Sequence, residues 1–348
     1  MSDRQPRDTD QNFSHYAVGM EGLQFCDVRE TAAAIEGLPG GPYCRIPEDW
    51  LGEMTPNVRA LACNTSGGVV RFVTDSPRVG LRMKLASGGD MPHMPRTGSS
   101  GMDVYLGTGS EKRYVNTLKP LFDEDFYEGA TVLPGGRTEV TVYLPLYNGV
   151  KLLEVGIEPG AVVESPSKLT YEAPIAFYGS SITQGGCACR TSTCYPAVVC
   201  RRLDAKLLNL GFSGSALGEQ PLAEFIATLE MSCLVYDYDN NAPDSEHLRR
   251  THLPFIRTIL ERRPELPVVF LSKTNYDPND PDDAVRRRLI YASYRWAEDN
   301  GYRAAFVDGS KLFGEDAELC TVDSLHPNDL GFYFMGRAVI EAVRGVIR

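Results

Sequence analysis

The stretch from residue 175 to the C-terminus alternates short apolar segments with amphipathic ones, and this alternation limits the fold more than any other feature of the sequence. In the amphipathic segments apolar residues recur with helical period; Leu222, Phe225 and Leu229, for example, fall on one face. Near-continuous apolar strands that alternate with helices indicate a parallel sheet covered on both faces. We therefore predict an α/β fold containing a three-layer α/β/α domain of about five parallel strands. Those strands are predicted at residues 175–179, 205–211, 233–238, 267–272 and 304–309.

The first half of the chain follows a different pattern, in which short β-rich runs are separated by Gly, Pro, Asp and Ser. Such runs at close spacing are typical of an all-β sandwich or jelly roll. Small residues and two prolines indicate a linker over residues 160–174. The β-rich runs are residues 69–76, 78–87, 102–108, 112–118, 138–146 and 151–160. The predicted parts are a disordered tail over residues 1–15, a β-sandwich domain over 16–165 and the α/β domain over 166–348.

The charge of the chain limits its partners. The 348 residues include 46 Asp and Glu against 35 Lys and Arg, which gives a formal net charge of −11. This excess of negative charge argues against nucleic acid or an anionic membrane surface as a partner. The N-terminal segment lacks the apolar core of a signal peptide, and no later run is long enough to span a bilayer, so we expect a cytoplasmic protein. The sequence leaves open whether the chain forms a homo-oligomer.

The nine cysteines are expected to be free thiols. Four of them follow one another closely, at Cys187, Cys189, Cys194 and Cys200, but they form no C-x-x-C pair and have no histidine nearby to complete a zinc site. The sequence therefore implies no metal and no organic cofactor. His247 and His252 fall on a helix with charged neighbours, which places both histidines at the surface.

Polar residues and glycines collect where the predicted strands end. Ser181 follows the first strand, Gly214 the second and Asn241 the third, and the last loop carries Asp323 and His326. In open α/β sheets ligands bind at the carboxyl ends of the strands. Ser, Asp and His in this order can supply a nucleophile, the residue that orients its base, and the base itself. A glycine turn and an amide side chain add donors for a developing oxyanion.

Each of these residues also has a structural interpretation. Ser181 can be an ordinary turn serine, and Asp323 can be a helix N-cap. His326 can belong to the start of the last helix. Gly214 can serve only a turn that requires positive φ, and Asn241 can serve only to hold a loop. The D-x-x-H spacing favours a functional role, because a histidine base needs a carboxylate to fix its tautomer.

From about residue 172 onward the sequence resembles the SGNH (GDSL-type) hydrolases, which are named for four short sequence blocks and have a flavodoxin-like catalytic domain. The blocks are matched in order by GSS (179–181), NLGFSG (209–214), DYDNN (237–241) and DSLH (323–326). In one respect the chain departs from the family pattern: Ser180 stands where the family usually has an acidic residue.

The resemblance implies roles for individual residues. Ser181 becomes the nucleophile, His326 the base and Asp323 the residue that orients it. The implied oxyanion hole consists of the main-chain N–H groups of Ser181 and Gly214 and the side-chain amide of Asn241. The neighbouring Asn240 is the alternative third donor.

The first half of the chain strengthens this resemblance. GMDVY (101–105) is similar to the GxDLY signature of a β-sandwich domain that precedes SGNH hydrolases in one subgroup, and residues 144–161 are similar to the end of that domain. The resemblance implies a serine esterase or acylhydrolase whose substrate is a small-molecule or carbohydrate ester, with a short acyl group, most simply acetyl. The alternatives are a lipid or thioester acylhydrolase, and a non-catalytic carbohydrate-binding protein on the same scaffold.

Overall fold

The computed structural model describes residues 19–347, so the tail predicted over residues 1–15 lies outside the described part. Two antiparallel sheets make up the first half, as predicted. The strands are β1 (Gln24–Asp27), β2 (Ala34–Glu36), β3 (Val69–Thr74), β4 (Arg78–Leu85), β5 (Met102–Leu106), β6 (Arg113–Leu118), β7 (Phe126–Val132), β8 (Thr138–Tyr143), β9 (Val150–Ile157) and β10 (Val163–Glu164). One sheet has the strand order β1-β9-β4-β7, and the other has the order β10-β3-β8-β5-β6, with β2 also paired to β3.

The two sheets enclose one apolar core and present a second buried face to the rest of the chain. Val140 and Val142 of β8 point into the sandwich core. Tyr143 of the same strand packs instead into a cluster shared with the second half, together with Tyr105 of β5. All six residues of β8 are therefore buried, including Glu139 and Thr141 on the face that they share with Tyr143. The helices of this half are α1 (Glu48–Leu51), α2 (Pro56–Ala62) and α3 (Arg96–Ser99).

The second half contains the predicted five-stranded parallel sheet. Its strands are β11 (Tyr171–Gly179), β12 (Ala205–Gly211), β13 (Cys233–Asp237), β14 (Val268–Leu271) and β15 (Ala304–Val307), in the order β12-β11-β13-β14-β15. Gly179 at the end of β11 is in register with Gly211 of β12 and with Asp237 of β13, so these strand ends meet at one edge. The helices are α4 (Ser181–Gln184), α5 (Tyr195–Leu203), α6 (Gln220–Thr228), α7 (Ser245–Arg262), α8 (Pro281–Asp299) and α9 (Asp329–Val346).

Helices cover both faces of this sheet. The apolar faces of α6, α7 and α8 share one core cluster with one face of the sheet, and α5 and α9 share another cluster with the opposite face. The segment 160–174, predicted as a linker, supplies β10 to the sandwich and the first residues of β11 to the parallel sheet. Among the described helices none is both long and apolar enough to cross a membrane.

The surface position predicted for His252 is wrong. Its ring lies 4.4 Å from that of Tyr236, centroid to centroid, and its Nδ1 is 2.8 Å from the Ser293 hydroxyl. Burial lowers the pKa of His252 to about 3, so this histidine is neutral in the folded protein. It is a core residue because α7 packs against both the sheet and α8, and the charged residues of α7 occupy only the remaining face.

Candidate active site

A tight turn between β11 and α4 presents Ser181. A Cβ at Gly179 would lie 2.1 Å from the Thr183 hydroxyl and 2.2 Å from the Asp237 carbonyl, so only glycine fits here. Ser180 is the N-cap of α4, and its hydroxyl accepts the Ile182 N–H at 3.2 Å. Ser181 is therefore the first residue of the helix, with its side chain directed away from that cap.

The side chains of Ser181, His326 and Asp323 form one hydrogen-bonded row. Ser181 Oγ lies 2.9 Å from His326 Nε2, and His326 Nδ1 lies 2.7 Å from Asp323 Oδ2. Asp323 Oδ1 also accepts the N–H groups of Leu325 at 3.1 Å and of His326 at 2.7 Å. Partial burial raises the pKa of Asp323, but these hydrogen bonds outweigh it and leave that pKa below the ordinary value. An ionised Asp323 places the proton of a neutral His326 on Nδ1, so that Nε2 can accept the Ser181 proton.

The purely structural roles considered for Asp323, as a helix N-cap, and for His326, as part of the start of the last helix, are not the ones observed. Asn328, not Asp323, caps α9, because its side-chain oxygen accepts the N–H groups of Leu330 and Gly331. His326 precedes that helix and lies beside the bridge between Thr321 and Pro327. The helix cap and the histidine are thus separate features that happen to be close in sequence.

The three predicted oxyanion donors lie on strand-end loops. In the described part of the chain no acceptor is bonded to the N–H of Ser181 or of Gly214. Gly214 has φ of +61° and open space where a Cβ would stand, so its turn requires glycine without crowding the N–H. The Asn241 amide donates to the Phe212 carbonyl at 2.9 Å, which uses one of its two hydrogens and ties it to the loop of Gly214. Asn240 Oδ1 is buried, with no partner among the described residues.

A buried carboxyl group beneath the Ser181 turn was not predicted. Asp237 Oδ2 accepts the Thr183 hydroxyl at 3.0 Å and the Tyr195 hydroxyl at 2.9 Å. Burial raises the pKa of Asp237 to about 7, against the two hydrogen bonds, which lower it. The available signal was its position at the end of β13, in register with Gly179. Asp237 thus fixes α4 from below while the Ser181 side chain stays free for chemistry.

The sandwich half also contributes to this site, which the sequence did not reveal. The Tyr147 hydroxyl donates to the Ser181 carbonyl at 3.1 Å. The His93 ring lies 5.8 Å from that of His326, centroid to centroid. Gln184 connects three segments, since it donates to the Leu146 carbonyl at 3.1 Å while its side-chain oxygen accepts the Ser213 N–H at 2.9 Å. The turn that carries Ser181 is therefore held from both halves of the chain.

The aspartate of the GMDVY segment links the two halves. Asp103 is fully buried, and its carboxylate accepts the Ser192 N–H at 3.0 Å as well as the Ser192 hydroxyl. The same carboxylate accepts the Thr117 hydroxyl at 2.5 Å and lies 3.4 Å from Arg190 Nη1. Tyr105 adds a 2.9 Å hydrogen bond to the Ser192 hydroxyl. This motif is therefore an anchor between the sandwich and the segment that follows Ser181.

The cysteines near the site are poor competitors for the role of nucleophile. Burial, and secondarily Asp323, raises the pKa of Cys187 to about 11. Burial and a hydrogen bond to Asp329 raise the pKa of Cys189 to about 11 as well. Both thiols are protonated at neutral pH, and the thiol form is a weak nucleophile. In residues 19–347 no cluster of His, Cys, Asp and Glu has the geometry of a metal site.

Comparison with known proteins decides the family. The model of the GDSL-like lipase/acylhydrolase family matches residues 172–344. The chain belongs to this family. A second model, for the GxDLY domain at the N-terminus of SGNH-hydrolase-type esterases, matches residues 23–163. Both parts of the resemblance inferred from the sequence are thereby confirmed, and this GDSL-type protein is a carboxylic ester hydrolase.

Solved structures share the fold of this GDSL-type hydrolase. A Bacteroides ovatus protein described as a GDSL-like lipase is 24% identical, with a TM-score of 0.83 over 94% of this chain and 99% of its own. A salicylyl-acyltransferase from a tetracycline biosynthetic pathway is 20% identical, with a TM-score of 0.76 over 93% and 97% of the two chains. A family two carbohydrate esterase from Cellvibrio japonicus is 14% identical, with a TM-score of 0.62 over 93% and 98%. No curated protein matches the sequence.

Proposed function

We propose that the protein is a serine esterase in which Ser181 attacks the ester carbonyl. His326 Nε2 takes the Ser181 proton as the new bond from Oγ to the carbonyl carbon forms, and Asp323 stabilises the resulting imidazolium. The tetrahedral oxyanion is held by the N–H groups of Ser181 and Gly214 and by the free hydrogen of the Asn241 amide. The bond to the alcohol oxygen then breaks, and His326 gives its proton to that oxygen.

The second half of the reaction releases the acid. Water attacks the acyl-enzyme carbonyl while His326 accepts the water proton, and the bond to Ser181 Oγ breaks as His326 returns a proton to it. The observation that carries this proposal is the row of hydrogen bonds of 2.9 Å and 2.7 Å through His326. The free N–H groups of Ser181 and Gly214 support it, because an oxyanion needs donors that are not already engaged.

For the substrate, we propose a short acyl group, most simply acetyl, on a carbohydrate or small polyol. Structural neighbours include carbohydrate esterases, among them an acetyl xylan esterase from Butyrivibrio proteoclasticus that is 11% identical with a TM-score of 0.58. The cavities of about 660, 470 and 350 Å³ are lined by other parts of the chain, so none of these three can hold an acyl chain attached to Ser181. Both observations favour a small acyl group over a lipid.

Hydrolysis of p-nitrophenyl acetate, butyrate and octanoate tests the proposal. We expect the wild type to prefer acetate and Ser181→Ala to lose activity on all three esters. Ser180→Ala is the matched control: it removes a hydroxyl bound to the Ile182 N–H, which costs about 1 kcal/mol of stability, and keeps activity within about tenfold. A preference for octanoate would point to a lipid acylhydrolase. Equal activity in Ser181→Ala would overturn the mechanism, and no turnover in the wild type would favour a binding protein.

A further inference from the structure

An imidazole from the sandwich half stands beside the catalytic imidazole. The centroid of the His93 ring lies 5.8 Å from that of His326, and the two ring planes are tilted by 49°. His93 is exposed to solvent, and its ring nitrogens have no hydrogen-bond partner among the described residues. A polar side chain at the mouth of the site is therefore free to bind something else.

The segment that carries His93, residues 90–98, packs firmly against the α/β half of the chain. Met91 and Met94 form a β-bridge, which places His93 at the tip of a tight turn. Met94 is buried in the apolar cluster shared with the α/β half. A Cβ at Gly98 would lie 2.1 Å from the Ala188 carbonyl, so the two segments are in close contact.

Polar contacts made by two residues, Thr97 and Arg96, also hold this segment. The Thr97 hydroxyl donates to the Cys189 carbonyl, next to the nucleophile turn. Arg96 donates to the Glu124 carbonyl at 2.8 Å and pairs with Asp90 at 2.9 Å. Because the segment is fixed on both sides, the position of His93 beside His326 is built into the fold.

The proposed reaction indicates which part of a substrate lies next to His93. His326 Nε2 must hand its proton to the departing alcohol oxygen, so that oxygen lies next to His326. The carbonyl oxygen lies elsewhere, toward the N–H of Ser181 and the loop of Gly214. A residue beside His326 therefore faces the alcohol part of the ester rather than the acyl group.

We propose that His93 is a substrate-binding residue that recognises a hydroxyl group on the alcohol part of the ester. A neutral imidazole offers one donor and one acceptor, and a hydroxyl group offers the same pair, so the two are complementary. A polyhydroxylated alcohol, such as a sugar or glycerol, carries a hydroxyl next to the ester oxygen, whereas a simple alkyl alcohol does not. This inference rests on the proposed esterase reaction and makes its substrate class specific.

The test compares two esters with the same acyl group. Glyceryl monoacetate carries hydroxyl groups beside the ester and propyl acetate carries none, while both give the same acetyl-enzyme. The parameter to measure is kcat/KM, because it reports acylation and the alcohol has left before deacylation. We expect His93→Ala to lower kcat/KM for glyceryl monoacetate three- to tenfold, mainly through KM, and to leave propyl acetate within twofold. His93→Gln keeps a donor and an acceptor and restores part of the loss.

The outcomes separate this inference from the reaction itself. An equal loss on both esters would assign His93 a structural role next to His326 and overturn the inference, as would no loss on either ester. A wild type that hydrolyses neither ester would overturn the proposed function, and with it the inference. Thermal unfolding of the His93→Ala variant at the wild-type temperature checks that the loss does not come from misfolding.

Discussion

Arg45 in the sandwich half donates a 2.6 Å hydrogen bond to the carbonyl of Gly211, at the end of the strand that leads to the loop of Gly214. The guanidinium also donates to the carbonyls of Asn209 at 3.2 Å and Leu61 at 2.6 Å, and it stacks on the Phe212 ring at 4.6 Å. It is fully buried, and this burial lowers its pKa to about 10. A charge that binds only main-chain carbonyls serves to position the chain, here the segment that carries Gly214.

Replacement of Arg45 is expected to destabilise the protein. Arg45→Met keeps most of the apolar volume but removes the side-chain donor from three carbonyls, those of Asn209 and Gly211 in buried contacts, so we expect a loss of about 2–4 kcal/mol in the free energy of unfolding. Urea unfolding measures the loss. Arg59→Ala removes an exposed arginine from α2 and should change stability by no more than about 0.5 kcal/mol. Equal stability of Arg45→Met and the wild type would contradict the positioning role.

Asn241 and Asn240 can be separated by kinetics. Asn241→Ala removes the proposed third oxyanion donor, so kcat should fall by about 10²–10³ while KM changes little. Asn240→Ala serves as the matched control and should retain most of the wild-type kcat. The reverse pattern would make Asn240 the donor and would show that the hydrogen bond from Asn241 to the Phe212 carbonyl is purely structural.

Replacement of Asp103 tests the link between the two halves. Asp103→Ala breaks a buried network that includes Ser192, Thr117 and Arg190, so we expect a loss of about 3–5 kcal/mol in the free energy of unfolding. Asp49 is exposed on α1, and Asp49→Ala should have little effect. Chemical unfolding of both variants compares them directly. A small effect at Asp103 would mean that the GMDVY segment does not anchor the halves.

Asp237 makes a pH-dependent contribution to stability. Its pKa is about 7 in the folded protein and near 3.9 in an unfolded chain, so the folded state holds the proton more tightly. Its contribution is therefore fully present below about pH 4 and is lost as the pH rises toward 7, by up to about 4 kcal/mol. Asp237→Asn cannot titrate, so its stability relative to the wild type should rise between pH 5 and pH 8. Urea unfolding at both pH values measures that change, and a difference that stays constant would contradict the raised pKa.

The sequence was sufficient to predict the parallel sheet and the grouping of Ser181, His326 and Asp323, because both depend on local patterns. The five apolar strands are each bounded by turns, and the spacing of Asp323 and His326 lies within one loop. The strand β7 was not predicted, since Gly129 and Glu128 interrupt its apolar pattern. A Cβ at Gly129 would lie 2.5 Å from the Leu118 side chain, a contact between strands of the two different sheets, and such a contact leaves no local pattern in the sequence.

The contributions of the sandwich to the site could not be predicted from the sequence either. Tyr147 and His93 meet Ser181 and His326 only after the two halves pack together, and no periodicity or spacing reports such a contact. The same holds for His252, whose burial follows from the packing of α7 against α8 rather than from its charged neighbours in sequence. Local patterns thus identified the parts of the site that lie in one half, while the packing between halves determined the rest.

Covalent labelling with a fluorophosphonate tests the central claim most directly. Attack by Ser181 Oγ on phosphorus expels fluoride and leaves a stable phosphonyl ester, so the wild type should gain the mass of one phosphonyl group on the peptide that contains Ser181. Ser181→Ala should remain unlabelled, and His326→Ala should react far more slowly because the proton acceptor 2.9 Å from the hydroxyl is gone. Labelling of Ser181→Ala at the wild-type rate, or a wild type that does not react, would contradict the account.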